Sequence, residues 1–140
     1  MEEMDYPSKI SIWYNRIVLL IVIFIYAILV GIPHMIHPIE TNAPDQISLG
    51  SPAAISVLRV VRGGFPFAFS VLFLTSIFSI DTIYRGIYSA FIILSIITIV
   101  RIVGYFADGV ALHLIPEIVL SILCGIGLFL EVRRRKKYEQ

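Results

Sequence analysis

The chain has 140 residues, 58% of them hydrophobic and only 15% charged, with a formal net charge of +1 and one cysteine. A soluble domain this small keeps nearly half its residues in water, and there is too little polar surface here for that, so the composition points to a membrane protein. The same figures exclude a disordered chain, a disulfide scaffold and the basic excess that suits nucleic acid, and they allow one domain at most, residues 1–140.

Crossing ~30 Å of hydrocarbon takes about 20 mostly apolar residues, and four segments supply them. The first runs from about 13 to 32 and has no charge after Arg16. Its apolar run exceeds a signal-peptide core, and Val30-Gly31-Ile32-Pro33-His34 lacks a small-x-small cleavage pattern, so a retained helix is expected. A long outer loop from 33 to 52 follows. Its prolines, Pro33, Pro38, Pro44 and Pro52, are expected to deny it a continuous helix, and its only charges are Glu40 and Asp45.

The second span, about 53–78, carries Arg59 and Arg62 inside it. The link from Ser79 to Arg85 is short, which makes the second and third helices antiparallel neighbours. The third span, about 86–106, holds Arg101 near its end, and the fourth, about 110–130, holds Glu117. A barrel would show ~10-residue alternating segments instead of such runs. The expected fold is all-α, an integral membrane four-helix bundle.

Lys9 and Arg16 flank the first span, Arg85 lies in the inner link, and Arg133, Arg134, Arg135, Lys136 and Lys137 follow the fourth. The other two loops contain no lysine or arginine. The positive-inside rule then puts both termini in the cytoplasm, with Trp13, Tyr14 and Tyr84 at one headgroup layer and Tyr105 and Phe106 at the other.

Arg59, Arg62, Arg101, Asp108 and Glu117 all fall within one to two turns of a common depth in the outer leaflet. Three arginines against two carboxylates can form a structural network, or leave one positive charge for an anionic lipid headgroup, a carboxylate or a quinone-like oxygen. Gly63, Gly64 and Gly104 are expected at helix contacts, as are Ser121 and Gly125, which line up with Glu117 and Cys124. His34, His37 and His113 are weak metal candidates; His113 and Glu117 stand four apart, a spacing a helix can use for ligands. Cys124 is a lone thiol inside the fourth helix, inert by its surroundings. No nucleophile–base pair, phosphate loop or dinucleotide fingerprint is present, so no cofactor is expected, and the one enzymatic option uses His113 with Asp108 or Glu117 as acid–base groups.

In the order Leu58-Arg59-x-x-Arg62-Gly63-Gly64, Arg101-x-x-Gly104-x-x-x-Asp108-Gly109 and Glu117, the chain resembles small bacterial membrane proteins catalogued as domain of unknown function 4345, grouped with the DoxX-like four-helix proteins. The resemblance covers about Ser48 to the end of the fourth helix. It implies a four-helix protein of the bacterial inner membrane with no established activity. Some DoxX-like relatives are subunits associated with quinone-linked oxidoreductases, so the expected role is a non-catalytic accessory or interaction subunit among other membrane proteins. The alternative is a binding protein for an anionic lipid or quinone.

Overall fold

The structure, a computed structural model, describes residues 6–42, 51–108 and 114–138, with side chains over 9–41, 51–107 and 114–137. Among the described residues every regular element is helical. The helices are α1 (Tyr6–Ile23), α2 (Ile32–Ile36), α3 (Pro38–Asn42), α4 (Pro52–Leu58), α5 (Phe65–Ile77), α6 (Ile80–Asp108) and α7 (Leu114–Tyr138). Two wider π-helical segments, Phe24–Gly31 and Arg59–Gly64, join α1 to α2 and α4 to α5. Four stretches are long and apolar enough to cross a membrane: Lys9–Ile36, Pro52–Ile77, Ile80–Ala107 and Leu114–Lys137.

Two expectations need correction. The third helix begins at Ile80, so Phe78 and Ser79 alone separate it from α5. Ser79 makes this tight stop workable: its Oγ accepts from the Asp81 amide at 3.3 Å, and the Thr82 hydroxyl reaches the carbonyls of Ser76 and Ser79, each at 3.2 Å. The first of these contacts serves an amide that the first turn would otherwise leave unpaired.

The expected loop 33–52 is also partly helical: Pro38 and Pro52 sit in the first turn of a helix, where a missing N–H removes no bond, and Pro33 is carried within a helical run whose preceding turn is widened. Ser51 caps α4, its Oγ accepting from the Ala54 amide at 3.2 Å. Residues 43–50, with Pro44 and Asp45, lie outside the described residues.

Both π segments have the same local cause. Gly31-Ile32-Pro33 and Gly64-Phe65-Pro66 repeat one glycine–apolar–proline pattern. Proline cannot donate to the carbonyl four residues back, and its ring crowds that carbonyl, so the preceding turn widens. The amides just before the prolines accordingly reach five residues back, Ile32 to Ala27 and Phe65 to Val60. His34 satisfies another carbonyl near the first widened turn, with Nδ1 2.7 Å from the Val30 oxygen. Since a carbonyl only accepts, that nitrogen carries the proton.

The helices sort into two compact units, Ile21–Leu74 in one and the remainder, up to Leu20 and from Thr75 on, in the other. Inside the Ile21–Leu74 unit the two π segments meet at glycines. A methyl on Gly63 would overlap the Met35 side chain and approach its amide to 2.9 Å, and one on Gly31 would come within 3.3 Å of the Gly63 carbonyl. Gly63 is therefore a close-approach position, whereas Gly64 has open space, with nothing nearer than the Arg59 carbonyl at 4.0 Å.

The other unit is built on α1, α6 and α7. On α6 the buried residues Ile83, Ile87, Ala90 and Leu94 step by four, three and four, which is one face of a helix. On α1 the buried positions are Ser11, Ile12, Asn15, Val18 and Leu19. Gly86 lets α6 close on its neighbours, since a methyl there would strike Ser76 and come within 3.2 Å of Leu19. Lipid tails are as apolar as leucine, so burying these side chains yields little hydrophobic gain, and contact packing and polar bonds hold the helices instead.

Candidate functional site

The buried face of α7 is Glu117, Leu120, Cys124, Gly127 and Glu131, spaced three, four, three and four. This is the spacing of a helix that keeps one seam against its neighbours. It begins and ends with a carboxylate.

At the first end, Arg101 Nε lies 2.5 Å from Glu117 Oε2. Arg101 stands seven residues after Leu94, which carries the buried face of α6 up to Glu117. The Glu117 side chain is nearly covered, and that of Arg101 is 34% exposed. Neither of these two atoms completes a hydrogen bond, because the N–H is not aimed along the contact. The interaction is thus a charge–charge contact. It is still the one that counts, because an unpaired charge in a spanning helix costs at least ~2.5–3.5 kcal/mol at mid-bilayer. One turn before Arg101 the Thr98 hydroxyl is buried without a partner. Two turns from Arg101, Ser95 and Ser121 share a hydrogen bond at 3.0 Å.

At the other end Glu131 is fully buried, and Arg134 grips it with a two-pronged fork, Nε to Oε2 at 2.9 Å and Nη2 to Oε1 at 2.5 Å. Arg135 adds Nε to Oε1 at 3.3 Å, and the Ser11 hydroxyl of α1 donates to Oε2 at 3.3 Å. Arg135 also reaches the Asp81 carbonyl at 3.3 Å and lies over the Tyr84 ring, 4.6 Å from its centre. One carboxylate thus ties together α1, the start of α6 and the end of α7.

Between the ends α1 and α7 run antiparallel in matched steps. Ser11 faces Glu131, Asn15 faces Gly127, and the Tyr14 hydroxyl donates to the Leu123 carbonyl at 3.1 Å. Asn15 is 0% exposed, and neither its Oδ1 nor its Nδ2 has a hydrogen-bond partner. A methyl on Gly127 would overlap Asn15 Oδ1, so the Cα–H bond pointing that way is directed at the oxygen, a weak Cα–H···O contact of the kind found where helices touch. Only glycine leaves this room.

Of the five charges expected to gather, the structure brings Arg101 and Glu117 together. Arg59 and Arg62 lie in the other unit, on the second π segment, with Arg59 exposed. Asp108 closes α6, and its side chain lies outside the described residues. Ser121 makes a helix–helix bond, and Gly125 accommodates the Phe91 ring, which a methyl would approach to 3.1 Å. Gly104 has nothing within 4 Å of the place a methyl would take, so it is not a contact glycine among the described residues.

His34 is buried and bonded to its own helix, while His37 pairs at 3.7 Å with Glu40 on an exposed turn. His113 lies outside the described residues, and among those described no three His, Cys, Asp or Glu side chains gather as metal ligands. Four residues of the seam escaped sequence reasoning: Ser11, Asn15, Gly127 and Glu131. For Gly127 and Glu131 the signal was available in the three-and-four spacing from Glu117, whereas Ser11 and Asn15 carry none in their local pattern.

The all-helical architecture of the described residues, with four helices long and apolar enough to span a bilayer, defines a multi-pass membrane protein. The family profile described as Domain of unknown function (DUF4345) matches residues 16–130, and the chain belongs to that family. No curated protein and no solved structure matches it.

Proposed function

We propose that this is a non-catalytic integral protein of the bacterial inner membrane, with both termini cytoplasmic, that serves as an accessory or interaction subunit of a larger membrane assembly. The observation that carries it is the pairing of both buried carboxylates of α7 with arginines, Glu117 with Arg101 and Glu131 with Arg134. An acid–base pair for catalysis needs an ionisable group free to exchange its proton with a substrate, whereas a carboxylate held by guanidinium positions helices. The eight lysines and arginines gathered at one end of the spans support the orientation, and the resemblance to DoxX-like proteins supports the accessory role. Crosslinking in intact membranes, followed by purification in mild detergent and mass spectrometry of what remains attached, tests this. A defined protein at fixed stoichiometry supports it, and a chain that purifies alone from crosslinked membranes refutes it.

A second reading has its own support. Arg59 is exposed on a π segment, a local geometry frequent at functional sites, and it would suit an anionic headgroup or quinone oxygen. Loss of a stoichiometric co-purifying lipid or quinone on Arg59→Ala, with folded yield unchanged, is the result that would favour it.

A further inference from the structure

Among the described residues the buried side-chain atoms with no hydrogen-bond partner are concentrated in one place. Three of them, Asn15 Nδ2 and Oδ1 and Thr98 Oγ1, lie along the seam between α7 and its neighbours α1 and α6, as do Arg101 Nε and Glu117 Oε2, which meet as an ion pair without completing a hydrogen bond. Folded proteins pair nearly all such atoms, so a run of orphans marks packing held against a cost. The seam's other polar groups fill the intervals: the Ser95–Ser121 hydrogen bond, the buried Cys124 thiol, and Ser11 on Glu131. From Glu117 to Glu131 is about 21 Å along the helix, most of the hydrocarbon thickness. One end is closed between helices by the Arg101–Glu117 pair, and the other by Glu131, which Arg134 of the same helix grips while the Ser11 hydroxyl of α1 holds it from across the seam.

We propose that this seam is a water path closed at both ends. Transient parting of α7 from α1 and α6 lets water reach Asn15, Thr98 and Cys124, with Arg101–Glu117 and Ser11–Glu131 as the two closures. Parting gives up apolar packing that gains little from the hydrophobic effect in lipid, and it hydrates an amide that is otherwise orphaned. The proposal goes beyond the subunit role, because a scaffold has no need of a polar line running from one closure to the other.

Cys124 is a built-in reporter, fully buried in the closed form and the only cysteine of the chain. The full-length protein in liposomes is exposed to a charged, membrane-impermeant methanethiosulfonate, and modification is followed by intact mass. Wild type is expected to be modified slowly but completely. Arg101→Ala and Ser11→Ala should each speed the reaction, and Glu117→Gln, which keeps the side-chain shape, opens the same closure should Arg101→Ala fail to fold. Asn15→Leu should slow modification by about tenfold or more, since an apolar residue gains nothing from opening. The proposal is overturned by a Cys124 that stays unmodified in the wild type and the closure variants alike. An Asn15→Leu protein modified at the wild-type rate would equally overturn it.

Discussion

Replacing Glu131 by glutamine keeps the side chain's shape and removes its charge. The structure sets the size of the effect. Glu131 is fully buried and its partner Arg134 is only 10% exposed, so the change removes the charge from a buried carboxylate that a largely buried guanidinium grips with two hydrogen bonds. Breaking a buried pair on one side costs about 3–5 kcal/mol. Arg135 is 41% exposed and counts as a surface pair, adding at most about 1 kcal/mol. The favourable placement of positive charge at the end of α7 remains and returns about 0.3–1 kcal/mol. The net expectation is a loss of about 3 kcal/mol.

Reversible unfolding by SDS in mixed micelles, followed by circular dichroism, reads this directly, with the exposed Arg133→Ala as a control that should shift by less than about 0.5 kcal/mol. Pairing Glu131→Gln with Arg134→Met should recover most of the loss, since an apolar residue is content without a partner. A Glu131→Gln protein within about 0.5 kcal/mol of wild type would refute the reasoning that Glu131 holds three helices.

Three further outcomes follow from the same geometry. Gly127→Ala should cost about 1–3 kcal/mol through overlap with Asn15 and crowding of Ile87, and Asn15→Ala should relieve part of it in the double variant, whereas Gly104→Ala should be neutral or slightly stabilising because nothing stands in its way. Pro66→Ala restores an amide able to bond the Arg62 carbonyl, so the segment Arg59–Gly64 should narrow to an ordinary α-helix. Spin labels at Val57 and Leu72, on a Cys124→Ser background, would report this as a changed distance, and an unchanged one would contradict the proline account. Arg101→Ala should lower the SDS unfolding midpoint more than Arg59→Ala, because Arg101 neutralises a buried carboxylate and Arg59 stands exposed.

The four spans were readable because long apolar runs have few alternatives in a chain this poor in charge. Their ends were less so. Pro38 and Pro52 look like helix breakers until each is seen in a first turn, Pro33 is passed by a widened turn, and whether a proline starts a helix or stops one depends on the residues before it, such as Ser51. The start of α6 was missed because Ser79 and Thr82 act through hydroxyl contacts that leave no trace in an apolar pattern.

Within the site, Arg101 and Glu117 were visible as charges out of place, and they do meet. Glu131 was hidden by its context: beside five basic residues it resembled part of a solvated tail, and only the spacing from Glu117 through Cys124 puts it on the buried face. Taking Ser121 and Gly125 as the stripe turned that face by about one position. Asn15 drew no attention because a single amide near Arg16 resembles an interfacial polar residue. What buries it is Gly127 on another helix, a relation between distant positions that no local pattern encodes.

The central claim is that charges inside the spans hold α6 against α7, and a double-mutant cycle on Arg101 and Glu117 tests it most directly. Unfolding free energies of wild type, Arg101→Met, Glu117→Gln and the double variant should show the single changes to be non-additive, with a coupling of about 1–3 kcal/mol. Additivity to within about 0.5 kcal/mol would mean that the two side chains act independently, and would contradict the account.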